Sequence, residues 1–241
     1  MELPARGIRV VALDLRGFGH STKTWDGLDY DTWASDVGRV ISVLGLNDVT
    51  LAGFSMGGAI AAHYAATSRD PRVVRLALLA APVPKLQAED DFPDGVPAET
   101  ITDIIDAERG DFARAKSEFN RKFFSTKVSD ELLRWYDQMG LMAPNRSTVR
   151  GFEELRDRDL RDEIGNIDIH TRIFHAVNDR IVPFALAERQ RELIRGSSIV
   201  RFENGGHGFC YEERDRLNDE LEKFVNEGPE VVDRSLMRAH V

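Results

Sequence analysis

The sequence lacks most features that mark secreted, membrane-spanning or metal-dependent proteins. Its single cysteine, Cys210, excludes an internal disulfide and favours a reducing compartment, so we expect a cytoplasmic protein. No apolar run is long enough to cross a membrane, and residues 1–4 lack the basic and apolar segments that begin a signal peptide. Neither a His-Glu-x-x-His nor a Cys-x-x-Cys spacing occurs, so we expect no catalytic metal.

Positive charge is also in short supply. The chain has 32 Lys and Arg against 41 Asp and Glu, a net charge of −9, which argues against nucleic acid and against anionic membranes as partners. The charges are mixed along the sequence and predict a solvated acidic surface. A length of 241 residues with 42% hydrophobic residues suits one α/β domain with an inserted subdomain. We expect a small-molecule partner, and a homo-oligomer is left open.

One stretch, residues 49–62, carries the strongest local pattern. A β-branched apolar run passes through Gly-x-Ser-x-Gly into a small-residue helix, which is the sequence form of a nucleophile elbow. The turn is so tight that the residues two before and two after the serine must have almost no side chain. Gly53 and Gly57 meet this need, and Gly58 and Ala59 extend the run of small residues. Ser55 would lie over the N-terminus of the helix, where free N–H groups stabilise negative charge. The alternative is a buried strand–turn–helix crossover whose serine is incidental.

The rest of the pattern alternates strands with helices. We predict strands at 8–13, 49–54, 73–80, 169–176 and 198–202. We predict helices at 30–44, 56–68, 185–194 and 213–226. Asp31 is expected to cap the first helix and Gly45 to end it. This order predicts an α/β fold with a mostly parallel sheet of about five strands and right-handed crossovers.

Residues 84–165 break this alternation. They are charged, and we predict helices there at 98–106, 111–124, 130–140 and 148–157. Most of their aromatic side chains are expected to pack the helices onto the body, and some to line an apolar pocket. We therefore expect a helical cap at 84–165 over a core of residues 1–83 and 166–226, followed by a tail at 227–241.

Three residues suit a catalytic triad. A serine hydroxyl needs an adjacent base, and the base needs a third group that holds it in one tautomer. Ser55, Asp179 and His207 follow in that order, each just past a predicted strand, so they should meet at the carboxyl edge of the sheet. Asp14 and Asp168 are alternatives to Asp179, which is favoured because it lies past a strand end rather than on it.

Other candidate residues have weaker support. Cys210 lacks an elbow of its own and is interpreted as a packed small side chain. Gly17 and Gly19 begin a dinucleotide fingerprint, but Thr22 stands where the third glycine belongs and no helix follows. The remaining histidines are interpreted as structural or solvated: His20, His63, His170, His175 and His240.

Taken together, these motifs resemble those of the α/β-hydrolases, and within that group those of the cofactor-free chloroperoxidases and arylesterases. The resemblance covers residues 6 to about 226 and is carried by 11–21, 53–58, 159–162, 179–183 and 206–208. It implies that Ser55 is the nucleophile, Asp179 the acid and His207 the base. It also implies an acyl-enzyme, no cofactor and small carboxylic esters as substrates, with peracid formation and halide oxidation as a side activity.

The sequence departs from the family at its start. The family has three strands before the one predicted at 8–13, and the third ends in a His-Gly loop that donates an oxyanion N–H. Here only the N–H of Met56 can be assigned to the oxyanion hole, and losing one donor costs about a hundredfold or more in rate. The third strand of the family lies between those at 8–13 and 49–54. We therefore expect either that these two strands pair directly or that the sequence is incomplete, and we favour incompleteness.

The sequence thus predicts a serine hydrolase of carboxylic esters, with two rival interpretations. The same triad could cleave C–C bonds or lactones. A non-catalytic α/β-hydrolase-like protein, or an incomplete gene product without part of its oxyanion hole, is supported only by the missing segment. Dehalogenases and epoxide hydrolases are disfavoured, because they need a carboxylate where Ser55 stands.

Overall fold

A four-stranded parallel sheet forms the centre of the molecule, in a computed structural model that describes residues 2–228. The strands run in the order β1 (Val49–Phe54), β2 (Val73–Leu79), β3 (His170–Ala176) and β4 (Ser198–Phe202). The helices are α1 (Tyr30–Val43), α2 (Met56–Ser68), α3 (Ala98–Gly110), α4 (Phe112–Arg121), α5 (Asp130–Leu141), α6 (Asn145–Asp157), α7 (Phe184–Leu193), α8 (Phe209–Glu212) and α9 (Arg214–Asn226). All of the predicted strands except the first are therefore found, so the described residues form four strands rather than about five, and the predicted α/β architecture with a parallel sheet is confirmed. Residues 229–241 of the predicted tail lie outside the described residues.

Burial explains why the inner strands form. Every residue of β2 is buried except Val74, as expected of a strand covered by helices on both faces. α1 packs on α2 and buries Trp33, Val37 and Ile41, which recur at helical spacing. Its N-cap is Asp29, whose side chain accepts the N–H of Thr32, so the prediction of Asp31 as the cap is wrong by two residues.

Residues 8–13 do not form the predicted first strand. They lie outside the sheet, and Val10, Val11 and Leu13 are exposed by 44%, 39% and 39%. Among the described residues β1 has β2 as its only strand neighbour, and Ala52 in the middle of β1 is exposed. Direct pairing of 8–13 with β1 is therefore wrong. An extended apolar segment becomes a strand only when a neighbouring strand offers hydrogen-bond partners, and within residues 2–228 no strand pairs with this segment.

The helices α3 to α6 follow β2 and precede β3. α3 packs against α6, and α4 packs against α5. A buried ion pair joins α3 to α4, since Lys116 Nζ lies 2.8 Å from Glu108 Oε2. The loop after α4, residues 122–129, was predicted in part as helix. No helix within residues 2–228 combines the length and apolarity needed to cross a bilayer.

Candidate active site

The turn between β1 and α2 holds Ser55 in an unusual backbone conformation. Its φ of 52° and ψ of −126° are sparsely populated by residues other than glycine. The Ser55 N–H donates to Leu79 O at 2.8 Å, and the Ser55 carbonyl accepts from Gly58 N at 2.8 Å. These bonds to β2 and to the first turn of α2 hold the strained residue at the carboxyl end of β1.

The close approach of β1 to α2 requires two glycines, Gly53 as predicted and Gly58, which the prediction included as an extension of the turn. A Cβ on Gly53 would lie 2.2 Å from the carbonyl oxygen of Gly57, and one on Gly58 would lie 2.6 Å from Cβ of Ala81. A Cβ on Gly57 would meet no heavy atom within 4 Å. The requirement for a bare backbone therefore falls on Gly53 and Gly58, and the expectation for Gly57 is wrong.

We expect Gly53→Ala to destabilise the fold by about 3 kcal/mol or more, since the added methyl meets rigid backbone. Gly57→Ala, with open space around the new methyl, should change the free energy of unfolding by at most about 1 kcal/mol. Urea unfolding followed by circular dichroism measures both values. Equal destabilisation by the two variants would contradict this account of the turn.

The three residues predicted for the triad lie together. His207 Nε2 is 3.0 Å from Ser55 Oγ, and His207 Nδ1 is 2.7 Å from Asp179 Oδ2. An ionised carboxylate only accepts hydrogen bonds, so the network assigns the ring proton to Nδ1 and leaves Nε2 free to accept from the serine hydroxyl. Because the side chains of His207 and Asp179 have no exposed surface, the bond between them is shielded from water.

The carboxylate of Asp179 is held at both oxygens. Oδ1 accepts the N–H groups of Ile181 at 2.8 Å and Val182 at 2.9 Å, and Oδ2 accepts from His207. Burial raises the pKa of Asp179, but hydrogen bonds to His175 and His207 outweigh it and hold that pKa well below its usual range. Asp179 is therefore ionised at neutral pH, as the orienting group of a histidine must be.

His175 is a site neighbour that the sequence interpretation missed. Its buried ring donates from Nε2 to Val182 O at 3.0 Å, and the same atom lies 3.5 Å from Asp179 Oδ2. The ring thus supports the turn that carries Asp179. The available signal was its position, four residues before Asp179 at the end of the same strand.

The competing residues lie elsewhere or have other contacts. Asp14 Oδ2 accepts the N–H of His20 within its own loop, so the carboxylate at His207 is that of Asp179 rather than Asp14 or Asp168. The ring of His63 lies between Asp31 and Glu163, with its nitrogens 2.9 and 3.0 Å from their oxygens. His170 packs on Phe224. His240 lies outside the described residues.

Cys210 is close to the site but is not suited to attack a substrate. Burial raises the pKa of its thiol to about 12. The thiolate is the nucleophilic form of cysteine, so a protonated thiol at neutral pH is inert. This agrees with the interpretation of Cys210 as a packed side chain.

Aromatic rings enclose the histidine. The Phe54 ring lies 4.8 Å from the His207 ring, and the Phe123 ring lies 4.9 Å from it. Phe119 stacks edge-on against both Phe123 and Phe152, at 5.4 Å in each case. Three of these four phenylalanines come from residues 84–165, so part of that segment supplies an apolar wall beside the site.

Met56 is the first residue of α2, directly after Ser55. Its N–H has no acceptor within the helix and lies at the positive end of the helix dipole. This is the position from which a backbone N–H can stabilise an oxyanion formed next to Ser55. The side chain of Met56 reaches α6, where its sulfur would lie 3.2 Å from a Cβ on Gly151.

Comparison with known proteins agrees with this architecture. A family model described as the alpha/beta hydrolase fold matches residues 1–214. The AB hydrolase superfamily protein YisY of Bacillus subtilis is 41% identical over 225 residues, which cover 93% of this chain and 84% of that protein. The bifunctional esterase/perhydrolase DCH of Acinetobacter calcoaceticus is 31% identical, with coverage of 91% and 82%.

Solved structures give the same result. An esterase from Exiguobacterium antarcticum superposes with a TM-score of 0.86 at 34% identity, covering 89% of this chain and 80% of that one. Non-heme chloroperoxidases and haloperoxidases recur among the sequence relatives, which confirms the resemblance drawn from the motifs. On the family match and these identities, the chain belongs to the α/β-hydrolase family.

Proposed function

We propose that this α/β-hydrolase is a serine hydrolase that acts on small carboxylic esters through an acyl-enzyme on Ser55. The observation that carries the proposal is the unbroken hydrogen-bond chain from Ser55 Oγ through His207 to Asp179, with distances of 3.0 and 2.7 Å. The recurrence of esterases among the relatives supports the same class of substrate.

The proposed reaction has two halves. His207 Nε2 takes the hydroxyl proton as Ser55 Oγ attacks the ester carbonyl, and the imidazolium then gives that proton to the departing alkoxide. Water repeats the sequence on the acyl-enzyme, with His207 again as the base, and releases the acid. Asp179 stabilises the imidazolium in both halves, and the N–H of Met56 is the proposed donor to the oxyanion.

Perhydrolysis is a second proposed activity of the same site. Hydrogen peroxide would take the place of water, giving its proton to His207 and its oxygen to the acyl carbon, so that a peracid leaves and Ser55 is restored. Its support is the relative named as an esterase and perhydrolase, together with the chloroperoxidases. We further propose that residues 84–165 act as the cap, and that the protein is cytoplasmic.

Turnover of p-nitrophenyl esters tests the proposal. With p-nitrophenyl acetate we expect an initial burst of about one p-nitrophenol per active chain, followed by a slower steady rate set by deacylation. Folded protein with no turnover above buffer, but saturable binding of an ester, would favour the non-catalytic alternative.

A further inference from the structure

Two segments that are far apart in sequence contact each other next to His207. We call residues 203–208 the histidine loop and residues 123–126, between α4 and α5, the cap segment. The N–H of Gly208 donates to Phe123 O at 2.7 Å, and the hydroxyl of Ser125 donates to Asn204 O at 2.7 Å. His207 therefore lies in a loop that is attached to the cap segment on both sides of it.

One carboxylate, that of Glu212 on α8, joins these segments a third time. Its Oε1 accepts the N–H of Ser125 at 2.9 Å, the N–H of Thr126 at 2.8 Å and the hydroxyl of Thr126 at 2.7 Å. Its Oε2 accepts the N–H of Gly206 at 2.7 Å. Oε1 of Glu212 thus binds the cap segment, and Oε2 binds the histidine loop.

The contact between the two segments leaves no free space. A Cβ on Gly206 would lie 2.8 Å from Phe123 O and 2.9 Å from Ser125 N, and one on Gly208 would lie 2.7 Å from the Phe124 ring. Backbone packed this closely moves as a unit, so a shift of the cap segment displaces the loop as well.

We propose, on the basis of the proposed function, that Glu212 is a positioning residue that fixes the His207 ring by joining the histidine loop to the cap segment. His207 is the next residue after Gly206, whose N–H is bonded to Glu212. The ring of Phe123, in the cap segment, lies 4.9 Å from the His207 ring. A displacement of a catalytic group by about 1 Å costs on the order of a hundredfold in rate, so loosening this joint should be felt in the chemical step.

Glu212→Gln breaks the joint selectively. The N–H groups of Ser125 and Thr126 and the Thr126 hydroxyl retain the amide oxygen at the Oε1 position, which turns the amide NH2 toward the N–H of Gly206. Two donors then face each other, and the bond to the histidine loop is lost while the bonds to the cap segment remain. Thr126→Val is a milder variant, because it removes one hydroxyl donor and leaves every backbone bond in place.

The next residue supplies a matched control. Glu213 accepts the N–H groups of Asn204 at 3.0 Å and Gly205 at 2.8 Å, both through Oε1. Among residues 2–228, the partner of its Oε2 is Arg216 at 3.5 Å. In Glu213→Gln the amide oxygen keeps both backbone bonds, and the amide NH2 faces only the exposed Arg216 side chain, which can turn to solvent. The same change of charge is thus made one residue away without opposing a backbone donor.

Steady-state kinetics with p-nitrophenyl acetate tests the assignment. We expect Glu212→Gln to lower kcat by about 10- to 100-fold with KM within about threefold, and Thr126→Val to lower kcat by a few fold. Glu213→Gln should leave both parameters within about twofold. Equal kcat values for the two Gln variants, or a loss in Glu212→Gln that equals its loss of folded protein by circular dichroism, would overturn the proposal.

A second readout does not depend on turnover. The proton shared between His207 Nδ1 and Asp179 should give a far-downfield proton NMR resonance, which disappears in Asp179→Asn and so can be assigned. We expect this resonance in the wild type and in Glu213→Gln, and its loss or broadening in Glu212→Gln. Its retention in Glu212→Gln would overturn the positioning role even if the wild type hydrolyses no ester, an outcome that contradicts the proposed function separately.

Discussion

Ser55→Ala is expected to lower kcat for ester hydrolysis by about a millionfold, which is the scale of loss when a serine nucleophile is removed. The methyl group cannot accept an acyl group, so the burst of p-nitrophenol should vanish together with the steady rate. The backbone of the turn is held by the Ser55 N–H and carbonyl, which the variant keeps. Stopped-flow absorbance with p-nitrophenyl acetate measures both phases.

Ser68→Ala is the control for this prediction. Ser68 is exposed at the far end of the same helix, α2, and its hydroxyl accepts a long bond of 3.4 Å from Asp70 N. Its kinetics should match those of the wild type. A full burst in folded Ser55→Ala would mean that another residue carries the acyl group, and the proposed role of Ser55 would have to be abandoned.

Asp179→Asn is expected to lower kcat by about ten thousandfold with little change in KM, because the histidine would take the wrong tautomer. The N–H groups of Ile181 and Val182 would hold the amide oxygen where Oδ1 now lies. The amide NH2 would then donate to His207 Nδ1, so the ring proton would move to Nε2. With a proton on Nε2, the ring cannot accept the hydroxyl proton of Ser55.

Asp14→Asn is the matched control, since Asp14 is the other loop aspartate considered for this role. Asparagine can still accept the His20 N–H that Asp14 accepts now, so kcat should stay within about threefold of the wild type. Comparable losses in the two variants would remove the case for Asp179 as the orienting acid.

Asp179→Asn should also change how the stability of the protein depends on pH. Burial raises the pKa of Asp179 in the folded protein, but hydrogen bonds to His175 and His207 lower it by more, so the net shift is downward. Its carboxylate therefore stabilises the folded protein fully above the ordinary aspartate pKa of about 4. This stabilisation is lost as the pH falls through the lower pKa of the folded state. The difference in unfolding free energy between the wild type and Asp179→Asn should shrink below that pH, as urea titrations can measure.

The parts of the site that could be predicted are those determined by a few neighbouring residues or by the order of the strands. Gly-x-Ser-x-Gly between an apolar run and a small-residue helix specifies its turn within a few residues, and Ser55 lies in that turn. Asp179 and His207 follow their strands directly, so the order of a parallel sheet brings them to one edge. No long-range information was needed for either step.

The parts that were missed depend on tertiary contacts. Gly57 fits the elbow pattern as well as Gly53 does, but only Gly53 faces the backbone of the following helix. Residues 8–13 read as a buried strand, yet strand formation depends on a neighbour that sequence periodicity does not supply. Glu212 carries no local signal, because its partners in the cap segment, Ser125 and Thr126, lie more than 80 residues away.

Reaction with a fluorophosphonate ester, followed by peptide mass spectrometry, tests the central claim most directly. The reagent phosphonylates a serine only when a positioned base takes the hydroxyl proton. The account predicts one adduct per chain, located on Ser55 and absent from Ser55→Ala. A folded chain that stays unlabelled, or an adduct that maps to a different residue, would contradict it.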